Sequence, residues 1–142
     1  MVIETFEPTA VYRKEADGGY FVFCPQVKGV FSEGDTLEEA RVMIKEALEG
    51  IIEVVLEKDL KKYFTPNDEK KMPGDIEERI NIEKNLQIAV SIKIARERAG
   101  ITQDELAHRL GVRQLYISRY EKGVAIPSVD RFLKLFEALI PA

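Results

Sequence analysis

Apolar and polar positions alternate in short runs near the start of the chain. Residues 9–15 and 19–24 form two such runs, rich in Val, Tyr and Phe, and Ala16-Asp17-Gly18 separates them. Because Gly accepts the positive φ of a tight turn, Asp-Gly between runs of this kind favours a hairpin. The pattern therefore predicts two antiparallel strands, and a shorter apolar run predicts a third strand over residues 29–33.

An apolar spacing of three and four residues replaces the alternation after Thr36. Thr36 and Glu39 have the spacing of a capping box, in which each side chain satisfies a backbone N–H at the start of a helix. The apolar positions that follow form one stripe and predict a helix, packed on the sheet, that ends near Lys58. These positions are Leu37, Ala40, Ile44, Ala47, Leu48, Ile51 and Val55.

The next segment has no apolar period. Residues 63–75 hold two Pro, one Gly and a charge run, which is typical of a long loop or linker. Ile80 and Ile82 then alternate with polar neighbours. Residues 79–84 are therefore expected to form a further strand that completes the sheet.

Helical spacing continues from Leu86 to the end of the chain and predicts four short helices. Gly residues separate them, and a second capping box opens the second helix. The first helix runs from Leu86 to Gly100, and the second begins at the Thr102–Glu105 capping box and ends at Gly111. The third follows Val112 and ends at Gly123, and Pro127-Ser128 starts the last. The last helix carries Val129, Leu133, Phe136 and either Leu139 or Ile140 on one side.

These elements predict an α+β fold in two domains. Residues 1–85 are expected to form an antiparallel sheet of three to four strands with one long packed helix, including the loop or linker at about 63–75. Residues 86–142 are expected to form an all-α domain. With 45% apolar and 32% charged residues, the chain has the balance of a soluble globular protein. Two domains this small bury modest cores, which favours oligomerisation.

Charge and composition narrow the function classes. Residues 1–75 hold 10 basic and 16 acidic residues, a net of −6, whereas residues 76–142 hold 11 and 9, a net of +2. Only the second half is suited to approach a phosphate backbone. Cys24 has no disulfide partner, and because His108 is the only His, no metal site is expected. Without an apolar run of membrane-spanning length or a signal-peptide pattern, a cytoplasmic protein with no membrane contact and no cofactor is expected.

The two short helices around Gly111 form a helix-turn-helix pattern. Ala107 is small where the helices cross, Gly111 supplies the turn, and Ile117 anchors the second helix on the core. The segment GVRQLYISRYEKG, residues 111–123, resembles the recognition segment of phage repressors and their XRE-type relatives. The resemblance covers residues 86–142. It implies a DNA-binding domain whose recognition helix enters the major groove.

This resemblance implies a role for each donor around the recognition helix. Arg113, Gln114 and Leu115 in its first turn, and Arg119 further along, are expected to face base edges. Arg suits guanine, Gln suits adenine, and Leu suits a thymine methyl. The other implied contacts are Tyr116 and Ser118 with sugar or phosphate, Gln103 with phosphate, and Lys122 through its charge. Arg113 stands where a capping Ser or Thr is common, so this helix is expected to begin less firmly.

Arg96 and Glu121 match a pair in the same family that joins the first helix to the end of the recognition helix. The hypothesis is that their ion pair fixes the angle between these two helices. The alternative is a pair of solvated charges, which contributes at most about 1 kcal/mol.

The first domain carries a resemblance of its own. Its segment DGGYFVFCPQVKGVFSEGDTLEEARVMIKEALEGII, residues 17–52, is similar to the N-terminal domain of the HicB antitoxin family. In that family a GGY-type hairpin and a short strand precede G-D-T-x-E-E-A at the start of a long helix. The similarity covers residues 9–55. It implies a curtailed ribonuclease-H-like fold that binds and blocks HicA, a small RNA-cleaving toxin.

Together the resemblances imply an antitoxin that also represses its own operon. The chain is expected to bind a palindromic operator as a homodimer or higher homo-oligomer, with half-sites about 34–36 Å apart. The expected dimer contacts are Leu133, Phe136, Leu139 and Ile140.

Two alternatives stay open: a DNA-binding regulator whose first domain senses a small ligand, and a metal-dependent nuclease. The nuclease needs carboxylates that converge on two metal ions. Asp17 lies in a turn, Asp35 at a helix start, and the first two strands have no acid in their middles. No catalytic residue is therefore expected.

Overall fold

The computed structural model describes residues 4–140, which divide into two compact units. Glu7–Val55 and Lys62–Ile82 form the first, which we call the sheet unit. The second, the helical unit, contains the segment that ends at Phe6, Leu56–Lys61 and the chain from Glu83 onward. Within residues 4–140, no helix is both long and apolar enough to cross a membrane.

The sheet unit is built on a four-stranded antiparallel sheet. Its strands are β1 (Thr9–Lys14), β2 (Tyr20–Phe23), β3 (Phe31–Gly34) and β4 (Ile76–Arg79), in the order β3-β2-β1-β4. β1 and β2 pair in the predicted hairpin, in which Gly18 has a φ of 97° and the Gly19 N–H donates to Asp17 Oδ1 at 3.0 Å. A side-chain acceptor and a glycine with positive φ therefore close this turn.

The fourth strand lies earlier in the chain than its pattern predicts. The prediction of residues 79–84 was wrong, because β4 covers Ile76–Arg79 and pairs with β1 at an edge of the sheet. Ile80 and Ile82 are buried, but they follow the strand. The Ile82 N–H donates to the Ile80 carbonyl at 3.1 Å, which is the bond of a three-residue turn. Two buried Ile residues two positions apart therefore give the alternating sequence pattern of a strand without forming one.

Helix α1 (Leu37–Val55) packs on the sheet and begins where its cap predicts. Thr36 Oγ1 accepts the Glu39 N–H at 3.1 Å, and Glu39 Oε2 accepts the N–H of Asp35 at 3.3 Å. The buried stripe of α1 is Ala40, Ile44, Leu48, Ile52 and Val55. Ile51, which was predicted on this stripe, is 38% exposed, because the helix turns Ile52 toward the sheet instead.

Gly34 at the end of β3 sets how closely α1 approaches the sheet. A Cβ at this position would lie 2.5 Å from the backbone N of Ala40 and 3.0 Å from its Cα. Both neighbours are backbone atoms of a helix, so they have little freedom to move away. Only Gly fits here without displacing α1.

Residues 64–75 form a loop that is anchored on the sheet unit. A short helix, α2 (Leu60–Tyr63), precedes it, so Tyr63 ends a helix rather than starting the predicted loop. Asn67 is 5% exposed, and its Nδ2 donates to three carbonyls of the β2–β3 connection at 3.1–3.2 Å. Arg13 and Asp75 form a second anchor, with 2.8 Å between Nη2 and Oδ2. Composition predicts the irregular backbone but not these contacts.

The helical unit contains α3 (Lys84–Ala99), α4 (Gln103–Leu110), α5 (Gln114–Glu121) and α6 (Val129–Ala138). Gly100 and Gly111, with φ of 72° and 69°, end α3 and α4 as predicted. The buried cluster between the helices is Ile92, Leu106, Ala107, Ile117, Tyr120, Leu135 and Phe136. An antiparallel sheet with one long helix, followed by a group of helices, is the α+β architecture that the sequence predicts.

Helix α6 buries only part of the apolar side that the sequence indicates. Leu135 and Phe136 are buried, whereas Val129 is 78% and Leu133 is 40% exposed. Of the residues that the sequence places on one side, Val129, Leu133, Phe136 and either Leu139 or Ile140, only Phe136 is buried. Phe132 also packs against the core, so α6 has apolar residues on two neighbouring rows. Spacing alone does not say which of the two rows is buried.

Leu56–Lys61 joins the helical unit through two polar side chains of α3. Lys93 is 7% exposed, its Nζ donates to the Leu56 carbonyl, and burial lowers its pKa. Glu97 Oε1 accepts the N–H of Leu60 at 3.2 Å. The contacts of α3 thus extend to residues far before position 86. The domain boundary between 85 and 86 stays a prediction.

Cys24 is buried and His108 is exposed. Cys24 is fully buried in the sheet unit, and burial raises the pKa of its thiol to about 11. Such a thiol carries little thiolate at neutral pH and behaves as a small apolar residue. His108 is exposed on α4.

Candidate nucleic-acid interface

Helix α5 has one buried side and one accessible side. Ile117 and Tyr120 are 0% and 5% exposed, and they hold the helix against the core. Leu115 and Tyr116 keep 43% and 39% of their surface exposed. The other exposed residues here are Arg113, Gln114, Arg119 and Lys122, whereas Ser118 is half-buried. The side chains that suit base edges therefore lie on the accessible surface of one helix.

Arg113 is the N-cap residue of α5 and lies one position before its first turn. Its backbone is extended, with φ of −77° and ψ of 144°, and its side chain makes no capping hydrogen bond. This agrees with the expectation that α5 begins less firmly than a helix with a Ser or Thr cap. A guanidinium has only donors and cannot accept a backbone N–H at a helix start, and the Arg113 side chain is exposed.

A chain of side-chain contacts orients Gln114. Its Nε2 donates to Gln103 Oε1 at 3.3 Å, and Gln103 Nε2 donates to Glu121 Oε1 at 3.1 Å. Gln103 therefore bridges the start and the end of α5 from the first residue of α4. Because an amide has two N–H groups and two lone pairs, each Gln keeps some capacity for an external partner.

Arg96 and Glu121 form a bidentate ion pair inside the helical unit. Nε lies 2.7 Å from Oε2 and Nη2 lies 2.8 Å from Oε1. The Arg96 and Glu121 side chains are 12% and 2% exposed, so neither is a solvated surface charge. The hydrogen bonds that Arg96 donates to the Glu121 carboxylate raise the pKa of Arg96. Arg96 Nη1 also donates to the Ile101 carbonyl at 2.8 Å, which ties the pair to the turn before α4.

The sequence does not indicate two features of this site. The first is the Gln103–Gln114 hydrogen bond, for which the only signal is a Gln at the start of each helix of the pair. The second is Arg131 of α6, which lies beside Tyr116 with 5.2 Å between its Cζ and the ring centroid. Arg131 lies outside the recognition segment, and no spacing rule connects it to α5.

Exposed Arg, Gln and Leu side chains on a firmly anchored helix match what base readout requires. Arg and Gln each offer paired hydrogen bonds to a purine edge, and Leu offers an apolar contact. The buried Arg96–Glu121 pair and the Gln103 bridge connect the helix that carries these side chains to α3 and α4. The arrangement is compatible with contact to double-stranded DNA.

Two family models match the chain. The model of the family described as "HicB_like antitoxin of bacterial toxin-antitoxin system" matches residues 8–98, which is more than half of the chain. A helix-turn-helix model matches residues 92–139.

Individual proteins are similar over parts of their length. The chain is 31% identical to "Antitoxin HicB 1" of Photorhabdus laumondii over 104 residues, which is 72% of this chain and 62% of that protein. It is 47% identical to the UPF0150 protein ssr1765 of Synechocystis over 53 residues, 37% of this chain and 67% of that protein. The fold is also similar to the crystal structure of the Burkholderia pseudomallei antitoxin HicB. The matched region covers 75% of this chain and 93% of that chain, with a TM-score of 0.44 and 16% sequence identity.

Proposed function

This chain belongs to the HicB-like antitoxins of bacterial toxin–antitoxin systems, and we propose that it neutralises a HicA-like RNA-cleaving toxin and represses its own operon. In this proposal the helical unit binds operator DNA and the sheet unit binds the toxin. The observation that carries the DNA-binding half is the exposure of Gln114 and Arg119 on α5 and of Arg113 at its N-cap, on a helix that is anchored by the buried Ile117.

The proposal for DNA binding assigns each donor of the site. Gln114 and Arg119 read base edges, Arg113 and Leu115 add base contacts at the start of α5, and Lys122 binds phosphate through its charge. Tyr116 and Ser118 contact sugar or phosphate from the sides of the helix. Gln103 holds Gln114 in place and donates its remaining N–H to a phosphate, which deepens the role that the sequence suggested.

Charge supports the assignment of the toxin to the sheet unit. The sheet unit, Glu7–Val55 with Lys62–Ile82, holds 9 basic and 15 acidic residues, a net charge of −6. A protein that cleaves RNA needs a basic surface for its substrate, and acids on an antitoxin compete with phosphate for that surface.

A nuclease activity of the sheet unit is not part of the proposal. Among residues 4–140, no three His, Cys, Asp or Glu side chains group so that they would hold a metal ion. The two metal ions of such a nuclease need a converging set of carboxylates. Membership of the antitoxin family also suggests a non-enzymatic protein.

We place the dimer contact of the proposed repressor on the exposed apolar residues of α6 and of the turn that follows it. Val129 and Leu133 of α6 are 78% and 40% exposed, and Ile140, two residues after the helix, is 50% exposed. Phe136 belongs to the core, so it drops out of the contact predicted from the sequence. A twofold contact of this kind presents two copies of α5 to half-sites about one DNA turn apart.

Toxin binding is tested by co-expressing the chain with the product of the neighbouring reading frame. We expect the two proteins to purify as one complex in which the toxin does not cleave RNA. Gly34→Ala, which forces α1 away from β3, should weaken the complex, while Arg119→Ala should leave it intact. If no neighbouring small basic protein binds, the chain is instead a DNA-binding regulator whose sheet unit senses another ligand.

Lys122→Ala should weaken binding to every duplex by a similar factor. Lys122 is exposed at the end of α5 and offers a point charge without base-specific geometry. Loss of one phosphate contact lowers the slope of log affinity against log salt by about 1. Fluorescence anisotropy with operator and unrelated duplexes at several salt concentrations measures both effects. Lys45→Ala on α1 removes the same charge from the sheet unit and should change neither.

A further inference from the structure

Arg131 in the first turn of α6 is held against the recognition helix by two tyrosines. Its Cζ lies 5.2 Å from the centroid of the Tyr116 ring, and its Nη1 donates to the Tyr120 hydroxyl at 3.2 Å. Tyr120 is 5% exposed and fixed in the core, so it provides a rigid acceptor. Tyr116 is 39% exposed, and its ring face carries the negative side of the aromatic quadrupole. The guanidinium therefore has a defined position at the edge of α5.

Within residues 4–140, Arg131 forms no ion pair with a carboxylate, although the charge of the neighbouring Asp130 acts on it. Its chain neighbour Asp130 pairs with Lys134, at 3.0 Å between Oδ2 and Nζ. Among residues 4–140, no acid lies within ion-pair distance of Arg131. A guanidinium has five N–H donors, and the Tyr120 hydroxyl uses one of them. Several donors of a half-buried, preorganised cation thus remain unused beside a surface that is proposed to approach DNA.

We propose that Arg131 is a further DNA contact, whose guanidinium binds a backbone phosphate next to the segment read by α5. The inference rests on the proposed DNA-binding function and adds a residue outside the recognition segment. Tyr116 and Tyr120 fix the guanidinium in advance, so little side-chain entropy is lost when the phosphate binds. The contact carries no sequence information and sets the position of α5 on the duplex.

The experiment compares Arg131→Ala and Arg131→Lys in the full chain with Arg109→Ala. Arg109 is the matched control, because its Nη1 already donates to the Ala138 carbonyl at the other end of α6. Affinity is measured for the operator and an unrelated duplex between about 50 and 200 mM salt. Thermal unfolding of each variant gives an independent measure of structure.

We expect Arg131→Ala to lower affinity for both duplexes about tenfold and to reduce the salt slope by about 1. Arg131→Lys should keep the slope, because it keeps the charge, with a smaller loss of affinity. Arg109→Ala should match the unmodified chain. Tyr116→Leu in the Arg131→Ala background should cost less than Tyr116→Leu alone, because both changes remove the same preorganised contact.

A lower melting temperature with an unchanged salt slope would overturn the inference, because Arg131 would then only brace α5. If the unmodified chain binds its operator with a normal salt slope and Arg131→Ala binds equally well, the inference about Arg131 is overturned but the proposed function is not. An unmodified chain that binds no DNA overturns the proposed function as well.

Discussion

The double variant Gln114→Ala with Arg119→Ala is expected to bind its operator no more tightly than unrelated DNA. Each bidentate contact to a base contributes about 1–3 kcal/mol of discrimination, so loss of two costs about 30-fold to 20,000-fold in specificity. Non-specific affinity should persist, because it depends on phosphate contacts elsewhere on the helical unit. Anisotropy titrations with operator and scrambled duplexes at one fixed salt concentration measure this ratio.

A matched control for this variant lies on the sheet unit. Gln26→Ala with Arg79→Ala removes the same residue types and the same charge from exposed positions there. The specificity ratio of this control should equal that of the unmodified chain. If the α5 variant kept its preference for the operator, α5 would not be the helix that reads the bases.

Arg96→Ala is expected to destabilise the helical unit by about 3–5 kcal/mol. The Glu121 side chain is 2% exposed, so the substitution leaves a buried carboxylate without its cation. Glu121 also accepts from Gln103, which in turn orients Gln114. DNA affinity should therefore fall together with stability.

Hydrogen exchange resolved along the chain measures this effect, because the two units need not unfold together. Protection should fall across α3–α6 and stay unchanged in β1–β4. Arg98→Ala is the control, since Arg98 is 63% exposed and lies 3.8 Å from Glu4. Its effect should be within about 0.5 kcal/mol. Unchanged protection and DNA affinity in Arg96→Ala would remove the structural role of the pair.

Local chemistry made the turns and helix starts predictable. Gly18, Gly100 and Gly111 all adopt the positive φ that their positions suggested. Thr36 and Thr102 cap the helices that follow them, and each side chain accepts the predicted N–H at 3.1 Å. These features depend on a few neighbouring residues, so the sequence contains what is needed to place them.

Predictions that depend on distant residues were less complete. The alternation at Ile80 and Ile82 correctly indicates that these side chains are buried, but it does not indicate which residues pair with β1. The strand that pairs with β1 is Ile76–Arg79. On α6, apolar residues lie on two neighbouring rows, and Leu135 and Phe136 are the ones that are buried. The attachment of Leu56–Lys61 to α3 depends on Lys93 and Glu97, two charged residues that an apolar pattern ignores.

The candidate site shows the same division. The donors around α5 were named from the resemblance of residues 111–123 to a known recognition segment, and Arg113, Gln114, Arg119 and Lys122 are all exposed. The partners that fix those donors come from other helices: Gln103 from α4 and Arg131 from α6. No spacing rule connects these partners to α5, whereas the Arg96–Glu121 pair was named because it matches a pair in a known family.

The proposed function requires α5 to lie in the major groove of operator DNA. Its most direct measurement is the change in backbone amide NMR shifts when the full chain is titrated with a duplex from upstream of its own operon. The largest changes should fall on residues 113–122 and on the start of α4, with β1–β4 unaffected. Changes confined to the sheet unit, or no change at saturating duplex, would contradict the claim.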